Sequence, residues 1–261
     1  MATDTHPLIT QQAVILAAGM GTRLNGHLVP KPLHPVMGVP LLERTIGTLA
    51  RAGVSEIIIV IGFEGEQVRR AVDTYPDLGV QIQFAENPDW KLSNGISVLK
   101  ARPWIRGPFL LTMADHVLTD GMVHAMARNT PVPGGAILAV DANLAGVFDM
   151  DDATKVLADA DGNLDRIGKE IPEYNRIDTG LFTCTDGLFD ALQSHLDTHG
   201  DTSLSNGIQD LATTNRMHLH TIAPDQWWQD VDTPEAAEEA ERRIHDQEVR
   251  DTAAASSLTT P

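Results

Sequence analysis

The stretch from Ala13 to Leu24 reads AVILAAGMGTRL, and the fold of the chain can be worked out from it. Its first half is an unbroken apolar run, typical of a strand buried on both faces, and its second half is a loop with two glycines and a cation. A dinucleotide-binding fingerprint would need a third glycine where the chain has Leu24. A kinase-type P-loop would need Gly-Lys-Ser/Thr, which this stretch lacks. Neither motif accounts for the loop.

A different kind of phosphate binding would explain the same residues. Gly19 and Gly21 lack a Cβ atom, so the backbone there can adopt positive φ and approach a ligand closely. Arg23 and the lysine of Pro30-Lys31-Pro32 would supply the positive charge that a triphosphate requires. The alternative is a tight turn from strand to loop with two surface cations, and the glycines alone do not decide between the two interpretations.

Outward from this stretch, short apolar strands alternate with amphipathic helices, which predicts an α/β fold with a mainly parallel sheet covered on both faces. Two short runs around Asp161 and Gly162, within 149–171, predict a β-hairpin insertion. The predicted strands are Ala13–Ala18, Glu56–Phe63, Val80–Ala85, Phe109–Ala114, Gly135–Asp141, Ile177–Cys184 and Met217–Ile222. The predicted helices are Leu41–Ala52, Glu64–Thr74, Gly95–Ala101, Gly121–Arg128, Gly187–Leu196, Leu204–Thr214 and Pro234–Val249.

The composition limits the partners and the environment of the protein. The length of 261 residues, of which 42% are hydrophobic, predicts one large domain at 12–249. Tails are predicted at 1–11 and 250–261, and the second tail is predicted to be disordered. Its 36 acidic and 19 basic residues give a net charge of −17, which argues against nucleic acid as a partner. The single cysteine, Cys184, forms no internal disulfide, and no apolar run reaches the ~20 residues of a membrane helix. These features predict a cytoplasmic protein.

Three aspartates are candidates for binding a divalent cation. Asp115 closes the strand Phe109–Ala114, and ligands collect at the carboxyl ends of parallel strands. Asp230 and Asp232 lie just before the terminal helix. Two carboxylates from distant segments suit Mg²⁺, which prefers few carboxylates together with phosphate oxygens and water. Asp115 could instead form a turn, and Asp232 could instead cap the helix that begins at Pro234.

The run Leu-x-Ala-Gly-x-Gly-Thr-Arg-Leu followed by Pro-Lys-Pro resembles the signature of the sugar-phosphate nucleotidyltransferase superfamily. The resemblance implies a three-layer, Rossmann-like fold, Arg23 and Lys31 as catalytic cations, and Mg²⁺ on Asp115 and Asp232, with Asp230 as the rival second ligand. His116 would orient Asp115 or pack at the strand end. The nucleotide-binding residues that it implies in this region are Leu16, Ala18, Gly19, Gly21, Thr22, Arg23 and Lys31.

Several further segments are similar to a narrower family, the CTP:inositol-1-phosphate cytidylyltransferases. They begin with Ser93-Asn94-Gly95-Ile96-Ser97 and Met113-Ala114-Asp115-His116, and continue through Asp152–Val156, Ile167–Lys169, Tyr174–Gly180 and Ser203–Gly207. The likeness spans residues 13–245. It implies transfer of CMP from CTP to a small phosphorylated alcohol, inositol 1-phosphate foremost. A separate membrane CDP-alcohol phosphotransferase would then consume the product.

This second resemblance also implies roles for particular residues. Asn94, Gly95 and Ser97 would face the cytosine and its ribose, or would merely begin a helix. In an acceptor-binding insertion at about 141–184, Lys169 would contact the acceptor phosphate, although Gly168 stands where the superfamily commonly has glutamate. Asp178 and Thr179 would bind ring hydroxyls or end a hairpin strand.

Rival functions stay open at this point. Phosphocholine, a small phosphonate such as 2-aminoethylphosphonate, or a sugar 1-phosphate with another nucleoside triphosphate are alternative substrates. A regulatory module that binds a nucleotide without turnover is an alternative class. Homo-oligomerisation is compatible with the sequence but is not indicated by it.

Overall fold

A computed structural model describes residues 10–25 and 29–258. The strands are β1 (Gln12–Ala17), β2 (Pro35–Val36), β3 (Val39–Pro40), β4 (Glu56–Ile61), β5 (Gln81–Glu86), β6 (Phe109–Met113), β7 (His116–Leu118), β8 (Ala136–Asp141), β9 (Lys155–Ala158), β10 (Leu164–Gly168), β11 (Arg176–Cys184), β12 (Met217–Thr221) and β13 (Trp228–Asp230). The α-helices are α1 (Thr22–Asn25), α2 (Leu41–Arg51), α3 (Gly65–Val72), α4 (Asn94–Ala101), α5 (Asp120–Arg128), α6 (Gly187–His199), α7 (Leu204–Thr213) and α8 (Pro234–Leu258).

Nine of these strands form one mixed sheet in the order β10-β9-β11-β6-β1-β4-β5, with β8 pairing β11 and β12 pairing β8. The centre of the sheet is parallel: β1 pairs β4 and β6, and β4 pairs β5. β11 runs antiparallel to its neighbours β6, β8 and β9. The predicted sheet with a parallel centre is confirmed.

The fold has three layers, a sheet with helices on each face, because apolar side chains along the central strands point alternately to the two faces of the sheet. Ile57 and Ile59 of β4 face a core that includes residues of α2, α3 and α5. Ile58 and Val60, one position along, face the opposite core, which includes residues of α4, α6 and α7. Because successive side chains of a strand point to opposite faces, the uninterrupted apolar run of β4 covers both cores at once.

The predicted hairpin insertion is β9 with β10, which are antiparallel and joined by a turn that contains Gly162 at φ +83°. β9 also pairs β11, so the hairpin continues the main sheet beyond the parallel strands. This placement puts the hairpin beside the carboxyl ends of the strands in the centre of the sheet.

Two short ribbons are additional to the predicted elements. β2 pairs β3, and β7 pairs β13 with His116 opposite Asp230. Strands of two or three residues are too short to show a period of two, which is why the sequence pattern did not indicate them.

The C-terminal helix is longer than predicted. α8 continues through Val249 to Leu258, so the prediction of a disordered tail from Arg250 is wrong up to that residue. The run Ala253-Ala254-Ala255 explains the extension, since alanine is the strongest helix former. At the other end, the predicted tail 1–11 includes Thr10, which is buried and whose hydroxyl donates to the carbonyl of Pro108. Among the described helices, none combines the length and the hydropathy needed to cross a membrane.

Candidate active site

Two neighbouring parallel strands at the centre of the sheet, β1 and β6, place the glycine loop beside Asp115. β1 and β6 are neighbours in register, with Leu16 opposite Met113, and the amide of Ala114 donates to the carbonyl of Leu16 at 3.0 Å. The chain leaves both strands at the same edge of the sheet. The loop after β1 (residues 18–24, the phosphate loop below) and Asp115 therefore meet at the carboxyl end, where parallel sheets bind ligands.

The β7–β13 ribbon brings the late aspartates to the same edge. His116 lies opposite Asp230, and the amide of Val231 donates to the carbonyl of Asp115 at 3.0 Å. Backbone hydrogen bonds thus fix Asp115 next to Asp230 and Asp232, although more than a hundred residues separate them in the chain. The terminal helix is capped by Thr233, whose hydroxyl accepts from the amide of Ala236 at 3.2 Å. The carboxylate of Asp232 does not cap the helix; it contacts the Lys31 ammonium and the Arg23 guanidinium.

Lys31 lies at the centre of these carboxylates. Its ammonium is 2.6 Å from Asp115 Oδ2 and 3.4 Å from Asp230 Oδ1, and it also contacts Asp232 Oδ1. The Lys31 side chain is only 6% exposed. Gly21 makes room for it, because a Cβ atom at Gly21 would lie 2.4 Å from Lys31 Cβ. The positive φ of Gly21, +57°, is a second reason for glycine at this position.

Arg23 extends the same network toward the hairpin. Its guanidinium contacts Asp232 Oδ2 and lies 2.8 Å from Asp152 Oδ2. The other oxygen of Asp152 accepts from Lys169 Nζ at 2.7 Å. The result is a continuous line of alternating charges, called the charge chain below: Asp115, Lys31, Asp232, Arg23, Asp152 and Lys169.

The charges of this network shift the titration of its members. Burial would raise the pKa of Asp115, but the Lys31 ammonium and a hydrogen bond from His116 hold it well below its usual range. Burial would lower the pKa of His116, yet Asp230 and Asp115 raise it. The hydrogen bond with Asp152 raises the pKa of the Arg23 guanidinium. His116 Nδ1 lies 2.8 Å from Asp115 Oδ1, so this histidine does orient Asp115.

A cavity of about 330 Å³ opens beside the phosphate loop. An ideal Cβ on Gly19 would meet no atom within 4 Å, so the backbone is open to a ligand there. Ala18 is buried, and its carbonyl accepts from the amide of Phe63. The side chain of Thr22, predicted to bind nucleotide, lies outside the described residues. The cavity, called the loop cavity below, is lined by Leu16, Ala17, Gly19, Gly21, Arg23, Lys31, Pro32, Ala114, Asp115 and Asp232.

A second cavity, of about 240 Å³, lies under the hairpin and is called the insertion cavity below. Its lining includes Lys169 and Asp178, and it shares Asp115 and Asp232 with the loop cavity. Burial raises the pKa of Asp178 to about 6. Thr179 is fully buried, and its hydroxyl donates to the carbonyl of Ala139 at 2.8 Å. The structure therefore does not bring the Thr179 hydroxyl to the cavity.

The three residues predicted to face a base are packed at the start of α4. Asn94 lines the insertion cavity, and its Oδ1 accepts from the amide of Leu204 at 2.8 Å. A Cβ on Gly95 would lie 2.5 Å from the carbonyl oxygen of Thr202. Ser97 is buried and accepts a hydrogen bond from Asn87 at 2.9 Å. None of the three lines the loop cavity.

The carboxylates suit a divalent cation. Oxygens of Asp152, Asp230 and Asp232 lie within 4.8 Å of one another, and Asp115, His116 and Asp230 form a second such group. Asp115 and Asp232 share the Lys31 ammonium, so both are already arranged around one positive charge. Carboxylate oxygens are the ligands that Mg²⁺ prefers.

Taken together, the sheet, the phosphate loop and the acids at its edge form the kind of site expected of a nucleotidyltransferase. The chain belongs to the family described as the MobA-like NTP transferase domain, whose model matches residues 13–148.

The individual proteins that the chain resembles have more specific names than the family. The chain is 35% identical over 227 residues to the "Bifunctional IPC transferase and DIPP synthase" of Rubrobacter xylanophilus, covering 85% of this chain and 49% of that protein. It is 36% identical over 164 residues to the "CMP-5'-(3-aminopropyl)phosphonate synthase" of Streptomyces rubellomurinus, covering 61% of this chain and 25% of that one. The chain spans about half the length of the bifunctional relatives.

Among solved structures, the inositol-1-phosphate CTP transferase from T. maritima superposes with a TM-score of 0.77 at 26% identity. The match covers 87% of this chain and 91% of that one. UDP-glucose pyrophosphorylase, at 15% identity and a TM-score of 0.75, shows the same fold.

Proposed function

We propose that this chain transfers CMP from CTP to a small phosphorylated alcohol, inositol 1-phosphate foremost, and releases CDP-inositol and pyrophosphate. The observation that carries the proposal is the pair of cavities that meet at Asp115 and Asp232, with Arg23 and Lys31 lining the first and Lys169 lining the second. A triphosphate in the loop cavity and a phosphorylated acceptor in the insertion cavity would be adjacent at those two carboxylates. The bifunctional relatives and the T. maritima enzyme support the choice of inositol phosphate and CTP.

In the proposed reaction a phosphate oxygen of the acceptor attacks the α-phosphorus of CTP. The new P–O bond forms as the bond to the pyrophosphate oxygen breaks, so the leaving group departs with the electron pair. The attacking group is already an ionised phosphate, so a general base would contribute little. Rate enhancement would come from positioning and from charge neutralisation by Lys31 and Arg23.

We propose that Mg²⁺ binds Asp115 and Asp232, with Asp230 adjacent, and would neutralise negative charge on the reacting phosphates. Asp115 and Asp232 each lie in a group of possible ligands that also contains Asp230, and this arrangement supports the assignment. Chelation by EDTA is expected to stop pyrophosphate release, and added Mg²⁺ to restore it. Undiminished activity in EDTA would rule out the two-aspartate site.

On the acceptor side, Lys169 would bind the acceptor phosphate, and ionised Asp178 would accept hydrogen bonds from ring hydroxyls. A second candidate acceptor is an aminoalkylphosphonate, which the Streptomyces relative supports. The carboxylate of Asp178 would then pair with the amine. The CDP-inositol formed in the first case would be the substrate of a CDP-alcohol phosphotransferase.

The decisive experiment is a matrix of four nucleoside triphosphates against inositol 1-phosphate, phosphocholine, hexose 1-phosphates and 2-aminoethylphosphonate, with pyrophosphate release measured. CTP with inositol 1-phosphate is expected to give the highest rate. Lys31→Ala is expected to lower that rate by about 10² to 10³-fold, the usual cost of losing one preorganised charge. Lys100→Ala, which removes an exposed ion pair with Asp89 instead, is the matched control. Near-wild-type turnover in Lys31→Ala would contradict its assigned role.

A further inference from the structure

Asp152 is the member of the charge chain that joins the two sides of the site. Its Oδ2 accepts from Arg23, on the phosphate loop, at 2.8 Å, and its Oδ1 accepts from Lys169, on the hairpin, at 2.7 Å. Arg23 is 129 residues away in the chain and Lys169 is 17 residues away. One carboxylate thereby sets the separation of a cation at the loop cavity and a cation at the insertion cavity.

Asp152 is less exposed than either cation. The side chains of Arg23 and Lys169 are 51% and 52% exposed, whereas that of Asp152 is 28% exposed. Its backbone lies in a turn where the Asp152 amide donates to Asp149 Oδ1 at 3.3 Å. Burial would raise the pKa of Asp152, but the hydrogen bonds from Lys169 and Arg23 lower it, so the carboxyl is ionised at neutral pH.

The two cations depend on Asp152 to different degrees. Arg23 also contacts Asp232, so it keeps an anchor when Asp152 is removed. In the described part of the chain, Asp152 is the carboxylate that pairs with the Lys169 ammonium. A half-exposed lysine with no ionic partner would sample many rotamers, and fixing it again would cost conformational entropy.

We propose that Asp152 is a positioning residue that holds Lys169 at a fixed distance from Arg23, and so aligns the acceptor phosphate with the nucleotide. This inference rests on the proposed function. Because misplacement by about 1 Å can cost about 10²-fold in rate, loss of the anchor should act on acceptor use. It should act little on CTP binding, since Arg23 and Lys31 retain Asp232.

Steady-state kinetics on the full chain would test the inference, using the nucleotide and acceptor that wild type uses best. Asp152→Asn is expected to lower kcat/KM for the acceptor by about 10- to 100-fold and to leave the KM for the nucleotide within about twofold. Asp151→Asn, at the exposed neighbouring position, is the matched control and should behave as wild type. On a Lys169→Met background, Asp152→Asn should add less than about threefold, because the two residues act as one unit.

An unchanged acceptor kcat/KM in Asp152→Asn would overturn the inference, as would full additivity with Lys169→Met. A lower acceptor KM would also overturn it, because Asp152 would then be competing with phosphate for Lys169.

A second readout is independent of turnover. Acetylation of the ligand-free protein by an N-hydroxysuccinimide ester, followed by mass spectrometry, should modify Lys169 several-fold faster in Asp152→Asn than in wild type, with Lys100 as the internal reference. An unchanged Lys169 rate would show that Asp152 does not hold this lysine, and the inference would fail. If wild type released no pyrophosphate with any substrate pair, the proposed function would fail, and the acetylation rates would still decide whether Asp152 restrains Lys169.

Discussion

Replacing Lys31 with methionine would test how the carboxylates at the sheet edge are held together. Methionine keeps most of the volume of the lysine stem but removes the charge that contacts Asp115, Asp230 and Asp232. The three carboxylates would then face one another without the shared cation. Removing one partner from a buried ion pair costs about 3–5 kcal/mol. Since Asp115 and Asp232 are 28% and 19% exposed, we expect the lower end, about 3 kcal/mol.

Urea denaturation followed by tryptophan fluorescence in EDTA would measure this loss. Lys31 holds the pKa of Asp115 below its ordinary value of 3.8, so its stabilisation is present above that pH and is lost as the pH falls. The difference between wild type and Lys31→Met should therefore be largest at pH 7 and shrink below about pH 4. Mg²⁺ at ten times its Kd should return about 1.4 kcal/mol to the variant.

Lys100→Met is the control, because Lys100 pairs with the exposed Asp89. Its effect should stay below about 1 kcal/mol. Equal losses in the two variants at pH 7 would refute the reasoning, as would a Lys31→Met deficit that shows no decrease as the pH falls from 4 towards the lowered pKa of Asp115.

Three further predictions concern positions around the same edge. Gly21 has φ +57°, and a new Cβ there would clash with Lys31 Cβ. Gly21→Ala should therefore destabilise the protein by about 1–3 kcal/mol in thermal melts and displace the lysine, so nucleotide turnover should fall in parallel. Gly180→Ala, at φ +73°, would bring its Cβ within 2.7 Å of the His116 ring; a lowered Tm and an altered His116 proton spectrum are expected, and a wild-type melting curve would contradict this. Burial raises the pKa of Asp178 to about 6, so its charge is lost as the pH falls through 6. The acceptor KM should accordingly rise more steeply below pH 6 in wild type than in Asp178→Asn, where titration of the acceptor phosphate itself, with a second pKa of about 6, still contributes.

Much of the fold was predictable because the apolar pattern is strong where the sheet is parallel. The sequence Glu-Ile-Ile-Ile-Val-Ile at 56–61 predicts a strand buried on both faces, and β4 is such a strand. The position of Asp115 at a strand end likewise predicted that it would lie at the edge of the sheet where ligands bind, and the glycine loop lies at that same edge. These predictions used local signals and one general rule about the carboxyl ends of parallel strands.

The structural features that the sequence did not predict depend on contacts between segments that are far apart in the chain. The β7–β13 ribbon has three residues on each side, too few to show a pattern. Asp152 is one of 24 aspartates, and only its two partners distinguish it. Asp178 and Thr179 were predicted to face the acceptor together. Adjacent strand residues point to opposite faces, however, and Asp178 lines the cavity while Thr179 is buried.

The β7–β13 ribbon also sets the order in which the site is completed during synthesis. A ribosome delivers the phosphate loop, Lys31 and Asp115 well before Trp228–Asp230, and the strands of the main sheet all precede Ala223. Until Asp230 and Asp232 are made, Lys31 lacks two of its three carboxylates. Cleavage ahead of Trp228 would remove Asp230 and Asp232 together with Trp228, Val231 and α8, which contribute buried residues to the core, so a single cut there would cost both the site and part of the packing beneath it.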